Sequence, residues 1–200
     1  MNSKQLSLFE EQAEKPNLVS FQGLLWLDDG LSYEITKIKK EIKKEYGTFK
    51  FLNSRPHISA FEFTLPHNLI SKLYHSLSEV LAHLNPPIFN VGKIKDWPSN
   101  GLLFLEVLDR IEFNRFNYKI YSSELLKYYQ ASLKFSENPH VTIGLFSKNW
   151  DVFNEVVKTY SGKDFQKTFK STKLGIRLQE KETSKWFKSP PDLEIGNYIK

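Results

Sequence analysis

The sequence contains no cysteine and only one methionine among its 200 residues. Without cysteine the chain has no disulfide framework, no thiolate metal site and no thiol nucleophile. No apolar run approaches the roughly 18 residues that a membrane-spanning helix needs. The N-terminal segment is polar and carries acidic residues, unlike a secretory signal. We therefore expect a cytoplasmic protein that does not associate with a membrane.

Apolar residues make up 40% of the chain and charged residues 26%, and 16 residues are phenylalanine. This composition favours a packed core over disorder. The length fits one domain, so we predict a flexible tail over residues 1–17 and a single domain over residues 18–200. The formal net charge of +5 permits an anionic ligand but does not specify one. We expect a monomer.

Apolar periodicity predicts an alternation of strands and helices. Short runs rich in strand-forming residues predict strands at 18–27, 58–65, 88–94, 102–108, 141–146 and 186–187. Helical spacing predicts helices at 31–46, from Pro66 to residue 84, at 116–133 and near 150–160, with Gly47 ending the first. Because hairpin turns interrupt the strict alternation, we predict an α+β fold with antiparallel strands rather than a parallel doubly wound sheet.

Two groups of polar residues on these helices have ordinary structural interpretations. The first helix carries five lysines opposite its apolar stripe: Lys37, Lys39, Lys40, Lys43 and Lys44. We interpret them as a solvated face, with steering of nucleic acid as the alternative. His67, His75 and His83 lie at intervals of eight, about 12 Å apart along a helix, which is too far to share a metal. We predict that these three histidines lie on the surface.

Two segments of the sequence match each other, at residues 55–61 (RPHISAF) and 138–144 (NPHVTIG). Each has a proline, a histidine, a β-branched residue and a hydroxyl residue, followed by an apolar strand. Each also comes after one amphipathic helix and before another, and the histidines are 83 positions apart, at 57 and 140. This pattern indicates an internal duplication.

The spacing within each segment has a chemical meaning. Residues i and i+2 of a strand point to the same face, so His57 projects with Ser59 and His140 projects with Thr142. If both strands face one site, two imidazoles and two hydroxyls surround a small volume. Hydroxyls can hold the oxygens of a phosphoryl group while one imidazole takes a proton and the other gives one, since the histidine pKa is about 6.5.

The two segments resemble the H-x-[ST] signatures of the 2H phosphoesterase superfamily, which includes the 2′-5′ RNA ligase-like proteins and cyclic phosphodiesterases. The resemblance covers residues 18–195. It implies a bilobal fold in which two similar lobes of antiparallel sheet with flanking helices surround a central cleft. It also implies that His57 and His140 are the catalytic pair, that Ser59 and Thr142 bind phosphate, and that no metal or other cofactor is needed.

The chain departs from this family at one place. Many ligase-like members have a basic residue shortly after the second motif, where this sequence has Gly144-Leu145-Phe146. If that residue normally holds a phosphate, then Arg55 or Lys148 replaces it here, or long RNA is not the substrate.

The resemblance implies an enzyme that hydrolyses 2′,3′-cyclic phosphates at RNA ends or in small cyclic nucleotides, and that joins ends through a 2′-5′ bond in reverse. The alternative is a non-catalytic RNA- or nucleotide-binding module that retains the cleft. Tyr33, Phe146 and Trp150 could then stack on bases, although we favour core packing as the interpretation of all three. A two-histidine metal site is disfavoured because no third ligand is evident.

Overall fold

The computed structural model of the protein describes residues 17–196. The helices are α1 (Asp29–Tyr46), α2 (Ile70–Ala82), α3 (Arg110–Tyr121) and α4 (Trp150–Tyr160). The strands are β1 (Leu18–Trp26), β2 (His57–Pro66), β3 (Ile88–Trp97), β4 (Leu102–Val107), β5 (Leu133–Phe135), β6 (His140–Leu145), β7 (Asp164–Lys170), β8 (Lys173–Glu180) and β9 (Leu193–Glu194). Two 3-10 segments, His67–Leu69 and Glu124–Ser132, complete the regular structure of these residues.

The first helix shows how local sequence sets the element boundaries. The Asp28 side chain accepts a hydrogen bond from the Leu31 N–H at 2.8 Å, which caps one of the unpaired amides at the helix start. Gly47 ends the helix at φ +87°, a conformation that glycine adopts without steric cost. The predicted end of α1 is therefore confirmed, and the helix begins two residues earlier than predicted.

The strands of residues 17–196 form one sheet in the order β7-β3-β4-β6-β2-β1-β8-β9, with β5 paired to β2. Every pairing between these strands is antiparallel. The predicted combination of antiparallel sheet and flanking helices is confirmed. The two strands that begin at the motif histidines, β2 and β6, are neighbours in the middle of the sheet.

The sheet is strongly curved. Strands β7 and β8 are six places apart in the strand order, which is about 29 Å in a flat sheet. Only two residues join them, so Lys170 and Lys173 are at most about 11 Å apart. The two ends of the sheet must therefore approach each other.

The order of elements repeats along the chain. The series β1-α1-β2-α2-β3 is followed by β4-α3-β6-α4-β7, with the second 3-10 segment and β5 inserted between α3 and β6. Strands β2 and β6 have the same place in the two series, and each starts with a motif histidine. The order of elements thus has the repeat that the matching segments indicated.

The core lies on the face of β2 and β6 that is opposite to the histidines. Ile58 and Ala60 of β2, and Val141 and Ile143 of β6, have no exposed surface. Helix α1 packs against β6 and helix α3 packs against β2. Because side chains alternate along a strand, His57, Ser59, His140 and Thr142 point away from this core.

Two predicted elements were wrong. The predicted helix over 116–133 is α3, which ends at Tyr121, followed by a 3-10 segment and then β5. The 3-10 segment repeats every three residues, so it buries Leu126 and leaves Leu125 49% exposed, contrary to the α-helical pattern. The predicted last strand is only an isolated bridge between Trp186 and Gln179, and the last strand is β9.

Two further expectations concern the N-terminus and membranes. All but the last residue of the predicted N-terminal tail lies outside the described residues. Among residues 17–196, no helix is both long enough and apolar enough to cross a membrane.

Candidate active site

The pairing of β2 with β6 brings the two motifs side by side. Ile58 lies opposite Val141 in this antiparallel pair. One residue further on each side, the same register places His57 opposite Thr142 and Ser59 opposite His140. Directly opposite residues share one face, and diagonal neighbours are about 7–8 Å apart. The structure therefore brings two imidazoles and two hydroxyls together on one face of the sheet, within reach of a common phosphate-sized group.

Both imidazoles are held by the backbone in the same way. The Nδ1 atom of His57 lies 2.7 Å from the Arg55 carbonyl oxygen, and Nδ1 of His140 lies 2.7 Å from the Asn138 carbonyl oxygen. A carbonyl oxygen only accepts, so each Nδ1–H donates. In the neutral ring Nε2 then carries the free lone pair. Each histidine presents Nε2 as the atom that can exchange a proton with a ligand.

Aromatic rings surround the two histidines. Trp26 meets the His57 ring edge-on with the centroids 5.8 Å apart, and the Arg55 guanidinium lies 4.4 Å from the Trp26 ring. Gly175 of β8 allows this arrangement, because a Cβ atom at that position would come within 2.0 Å of the indole. Arg55 and Trp26 thus form one wall of the site beside His57.

His140 has two aromatic neighbours of its own. Its ring centroid lies 4.8 Å from that of Trp97 and 5.4 Å from that of Phe104. Trp97 and Phe104 also contact each other, with their centroids 4.5 Å apart. Both histidine rings are therefore partly removed from water by aromatic packing.

This burial changes the acid–base properties of both rings. Burial lowers the pKa of His57 to about 4, against the opposing effect of its hydrogen bond to Arg55. The positive charges of Arg177 and Lys39, and the His140 ring, lower it further. Burial also lowers the pKa of His140, opposed by the hydrogen bond to Asn138. Both rings are neutral near pH 7 when the site holds no anion.

A family model described as the 2′-5′ RNA ligase superfamily matches residues 27–183. The chain belongs to this superfamily, within the 2H phosphoesterases. A comparison with curated proteins found no match. The matched range includes both motifs, so the family assignment and the paired histidine strands agree.

The sequence of this 2H phosphoesterase did not lead us to Lys39, whose charge lowers the pKa of His57. The prediction of a solvated lysine face was wrong at this position, since Lys39 is 1% exposed. Its Nζ donates to the carbonyl oxygens of Phe51 and Ser54, both at 3.0 Å, and burial lowers its pKa to about 8. Position 39 lies four residues after the buried Ile35, so the helical spacing of the buried positions was the sequence signal that could have predicted the burial of Lys39.

Arg177 was also missed, and here the sequence contains no local signal. It lies on β8 opposite Gln22 of β1, and β1 in turn pairs with β2. Its guanidinium lies 5.3 Å from the Trp186 ring, and its charge affects His57. Only the strand order places this residue near the motif.

The two proposed substitutes for the missing basic residue lie at different places. Arg55 stays beside His57, is 47% exposed at its side chain and lies 3.6 Å from the Asp192 carboxylate. Lys148 follows β6, which ends at Leu145, so it lies beyond the opposite end of the strand from His140. The five steps from His140 to Leu145 alone span about 16 Å. Of the two candidates, Arg55 is therefore the one that lies beside a motif histidine, and a phosphate contact by Lys148 stays a prediction.

The three aromatic residues considered for base stacking differ in how far they are exposed to solvent. Tyr33 is 72% exposed and Trp150 is 46% exposed, whereas Phe146 is 5% exposed and stacks on Phe49 at 4.9 Å. Phe146 is thus a core residue, which confirms the favoured interpretation of core packing at this position, whereas that interpretation was wrong for the exposed Tyr33 and Trp150. Tyr33 and Trp150 lie on helices α1 and α4.

In residues 17–196 no three His, Cys, Asp or Glu side chains lie close enough to hold a metal ion. The prediction of three surface histidines is confirmed, since His67, His75 and His83 are exposed.

The lowered pKa of His57 predicts a loss of stability in acid. Between pH 6.5 and 4 the unfolded chain binds a proton at this residue while the folded chain does not, so falling pH favours unfolding. A pKa shift from about 6.5 to about 4 makes this contribution roughly 3 kcal/mol at pH 4 relative to pH 7. We expect urea unfolding of the His57→Asn variant to lose less stability over this range than the parent protein.

The comparison of the two proteins controls for other groups. Carboxylates such as Glu62 and Glu106 also have lowered pKa values, but they titrate in both proteins. An equal loss of stability in parent and variant would contradict the assignment to His57.

Proposed function

We propose that this protein is a metal-independent phosphoesterase that acts on RNA-type phosphodiesters and hydrolyses 2′,3′-cyclic phosphates. The observation that carries the proposal is the matched pair of imidazoles on β2 and β6, each with Nδ1 bonded to a backbone carbonyl. Membership of the 2′-5′ RNA ligase superfamily supports the same chemistry. His57 and His140 are then the catalytic pair.

The charges around the two rings support a division of roles. Arg177 and Lys39 disfavour the protonated form of His57, which suits it to act as the general base. His57 Nε2 takes a proton from a water molecule, and the water oxygen forms a bond to phosphorus. The bond from phosphorus to one ribose oxygen breaks, and His140 Nε2–H gives its proton to that oxygen.

A bound substrate supplies the charge that this scheme requires. The cyclic phosphodiester is an anion, and an anion beside an imidazole raises its pKa. His140, which has no cation among the causes of its shift, gains the proton when substrate binds. The Ser59 and Thr142 hydroxyls donate to the non-bridging oxygens, and Arg55 is an additional clamp at the edge of the site.

Ser59 has room for such a ligand. It is exposed, and it borders a hollow of about 260 Å³ that is lined by Gln22, Glu62 and Lys134 but by neither motif histidine, so the phosphate would lie at the edge of this hollow. The two repeated series of elements form two lobes in this proposal, and the substrate lies in the cleft between them, above the β2–β6 pair. Reversal of the same two proton transfers would join RNA ends through a 2′-5′ bond.

The test is hydrolysis of the four nucleoside 2′,3′-cyclic phosphates in the presence of EDTA. We expect turnover to a single phosphate isomer, which identifies the leaving oxygen, and a bell-shaped dependence on pH. Activity that needs an added divalent metal would contradict metal independence. Tight binding of these nucleotides without turnover, by a folded protein, would favour the non-catalytic binding module instead.

A further inference from the structure

Two adjoining hollows lie next to the His57 side of the site. One, of about 560 Å³, lies between one face of α1 and the loop of residues 52–56. The other, of about 340 Å³, lies between residues 26–29 and residues 170–173. Both are lined by Asp29 and Arg55, so the two hollows form one continuous surface that passes over Arg55.

This surface is mainly positive. Its basic residues outnumber its two acidic residues, Asp28 and Asp29, and are Lys40, Lys43, Arg55, Lys170 and Lys173. Asp28 accepts the capping hydrogen bond of α1 and keeps its negative charge, and Arg55 pairs with Asp192 at 3.6 Å while its side chain stays 47% exposed. Lys173 also pairs with Glu194 at 3.2 Å, and its side chain remains 49% exposed. Lys40, Lys43 and Lys170 form no ion pair with the described residues, so their charges are open to the negative groups of a ligand.

An aromatic ring and a buried hydroxyl accompany these charges. Tyr33 lines the larger hollow and is 72% exposed, which leaves its ring face open to a nucleobase. The Ser32 Oγ at the same hollow is buried without a hydrogen-bond partner among the described residues. From Tyr33 to Lys43 the helix extends about 15 Å, the length of several stacked nucleotides at about 3.4 Å each.

Arg55 connects this surface to the histidines. Its carbonyl oxygen accepts from His57 Nδ1, and its guanidinium stacks on Trp26, which contacts the His57 ring. A strand whose terminal phosphate lies at His57 can therefore continue across Arg55 onto α1, where it passes Asp29 before it reaches Lys40 and Lys43.

We propose that the surface formed by Tyr33, Lys40, Lys43, Arg55, Lys170 and Lys173, here called the α1 track, binds the single-stranded RNA that precedes a terminal cyclic phosphate. The preferred substrate is then an oligoribonucleotide end and not a free nucleotide. This inference rests on the proposed function, because the track extends from the same catalytic pair.

The test compares two substrates that share one reacting group. They are cytidine 2′,3′-cyclic phosphate and a single-stranded oligoribonucleotide that ends in the same group. For the Lys40→Ala/Lys43→Ala variant we expect KM for the oligonucleotide to rise about tenfold, with kcat unchanged, because two phosphate contacts are lost. KM for the mononucleotide stays within twofold of the parent value, since both lysines lie outside the two-histidine site.

The dependence of KM on salt concentration and a matched control variant provide two further tests of the α1 track. The slope of log KM against log salt for the oligonucleotide becomes shallower by about 1.4, which is two contacts at 0.7 each. Tyr33→Ala raises the oligonucleotide KM by at least about fivefold through lost stacking. The control is Lys119→Ala/Lys158→Ala, which removes the same charge from exposed positions of α3 and α4 and leaves both KM values unchanged.

Failure of this inference differs from failure of the proposed function. If the parent protein hydrolyses both substrates with equal KM, or if the track and control variants behave alike, the α1 track is wrong while the hydrolase remains. If neither substrate is hydrolysed, the proposed function is wrong. Equilibrium binding of the same oligonucleotide to the parent and the two double variants then decides on the track alone.

Discussion

His57→Ala and His140→Ala are each expected to lower kcat for a 2′,3′-cyclic phosphate by about 10²–10⁴-fold, the usual effect of removing a positioned acid or base. The double variant should be little slower than the slower single variant, because the two rings act as one proton-transfer unit. Steady-state kinetics in EDTA on the three variants measures both effects.

The control for this experiment is His75→Ala, which removes an exposed histidine of α2 and should leave kcat unchanged. Circular dichroism of every variant shows whether the fold is kept. The core side chains next to the motifs, Ile58 and Val141, are untouched by these substitutions. A folded His140→Ala protein with full activity would show that the two-histidine mechanism does not operate here.

Removal of the two hydroxyls should have the second-largest effect. Ser59→Ala and Thr142→Val each remove one hydrogen bond to a charged oxygen, which is worth about 1.5–3 kcal/mol, or roughly 10- to 150-fold in kcat/KM. The two losses should add approximately if each hydroxyl holds its own oxygen, so the double variant falls by about 10²–10⁴-fold. Inhibition by inorganic phosphate should weaken in the same variants.

Thr64→Val is the matched control for these hydroxyls. Thr64 lies on the same strand β2 but opposite Ser20 of β1, five positions from Ser59. Its replacement should change neither kcat/KM nor phosphate inhibition. Equal activity of the Ser59→Ala, Thr142→Val and Thr64→Val proteins would remove both hydroxyls from the proposed phosphate site.

The parts of the site that depend on local spacing were predictable. A separation of two residues on a strand puts His57 with Ser59 and His140 with Thr142, whatever the remainder of the chain does. Helix α1 was likewise predictable near its end, because Gly47 acts within a single turn. The mixed fold with an antiparallel sheet followed from the alternation of such local signals.

The surroundings of the histidines depend on pairings between distant segments, and sequence spacing does not contain them. Trp26 reaches His57 because β1 and β2 pair with these two residues opposite each other. Phe104 lies beside His140 because the β4–β6 pair places it opposite Thr142, directly after a register shift between Leu103 and Phe104. Such a shift changes the face of the sheet on which the following side chains of the strand lie, and no local sequence pattern predicts it.

The attachment of both rings to main-chain oxygens has a consequence for tolerance to mutation. Where a carboxylate side chain orients a histidine, a single substitution of that partner removes the orientation. Here the acceptors are the carbonyls of Arg55 and Asn138, which every amino acid supplies. Side-chain changes at these two positions can alter charge and contacts with ligands while the ring tautomer persists. Natural variation at positions 55 and 138 is therefore free to adjust substrate preference without disabling proton transfer.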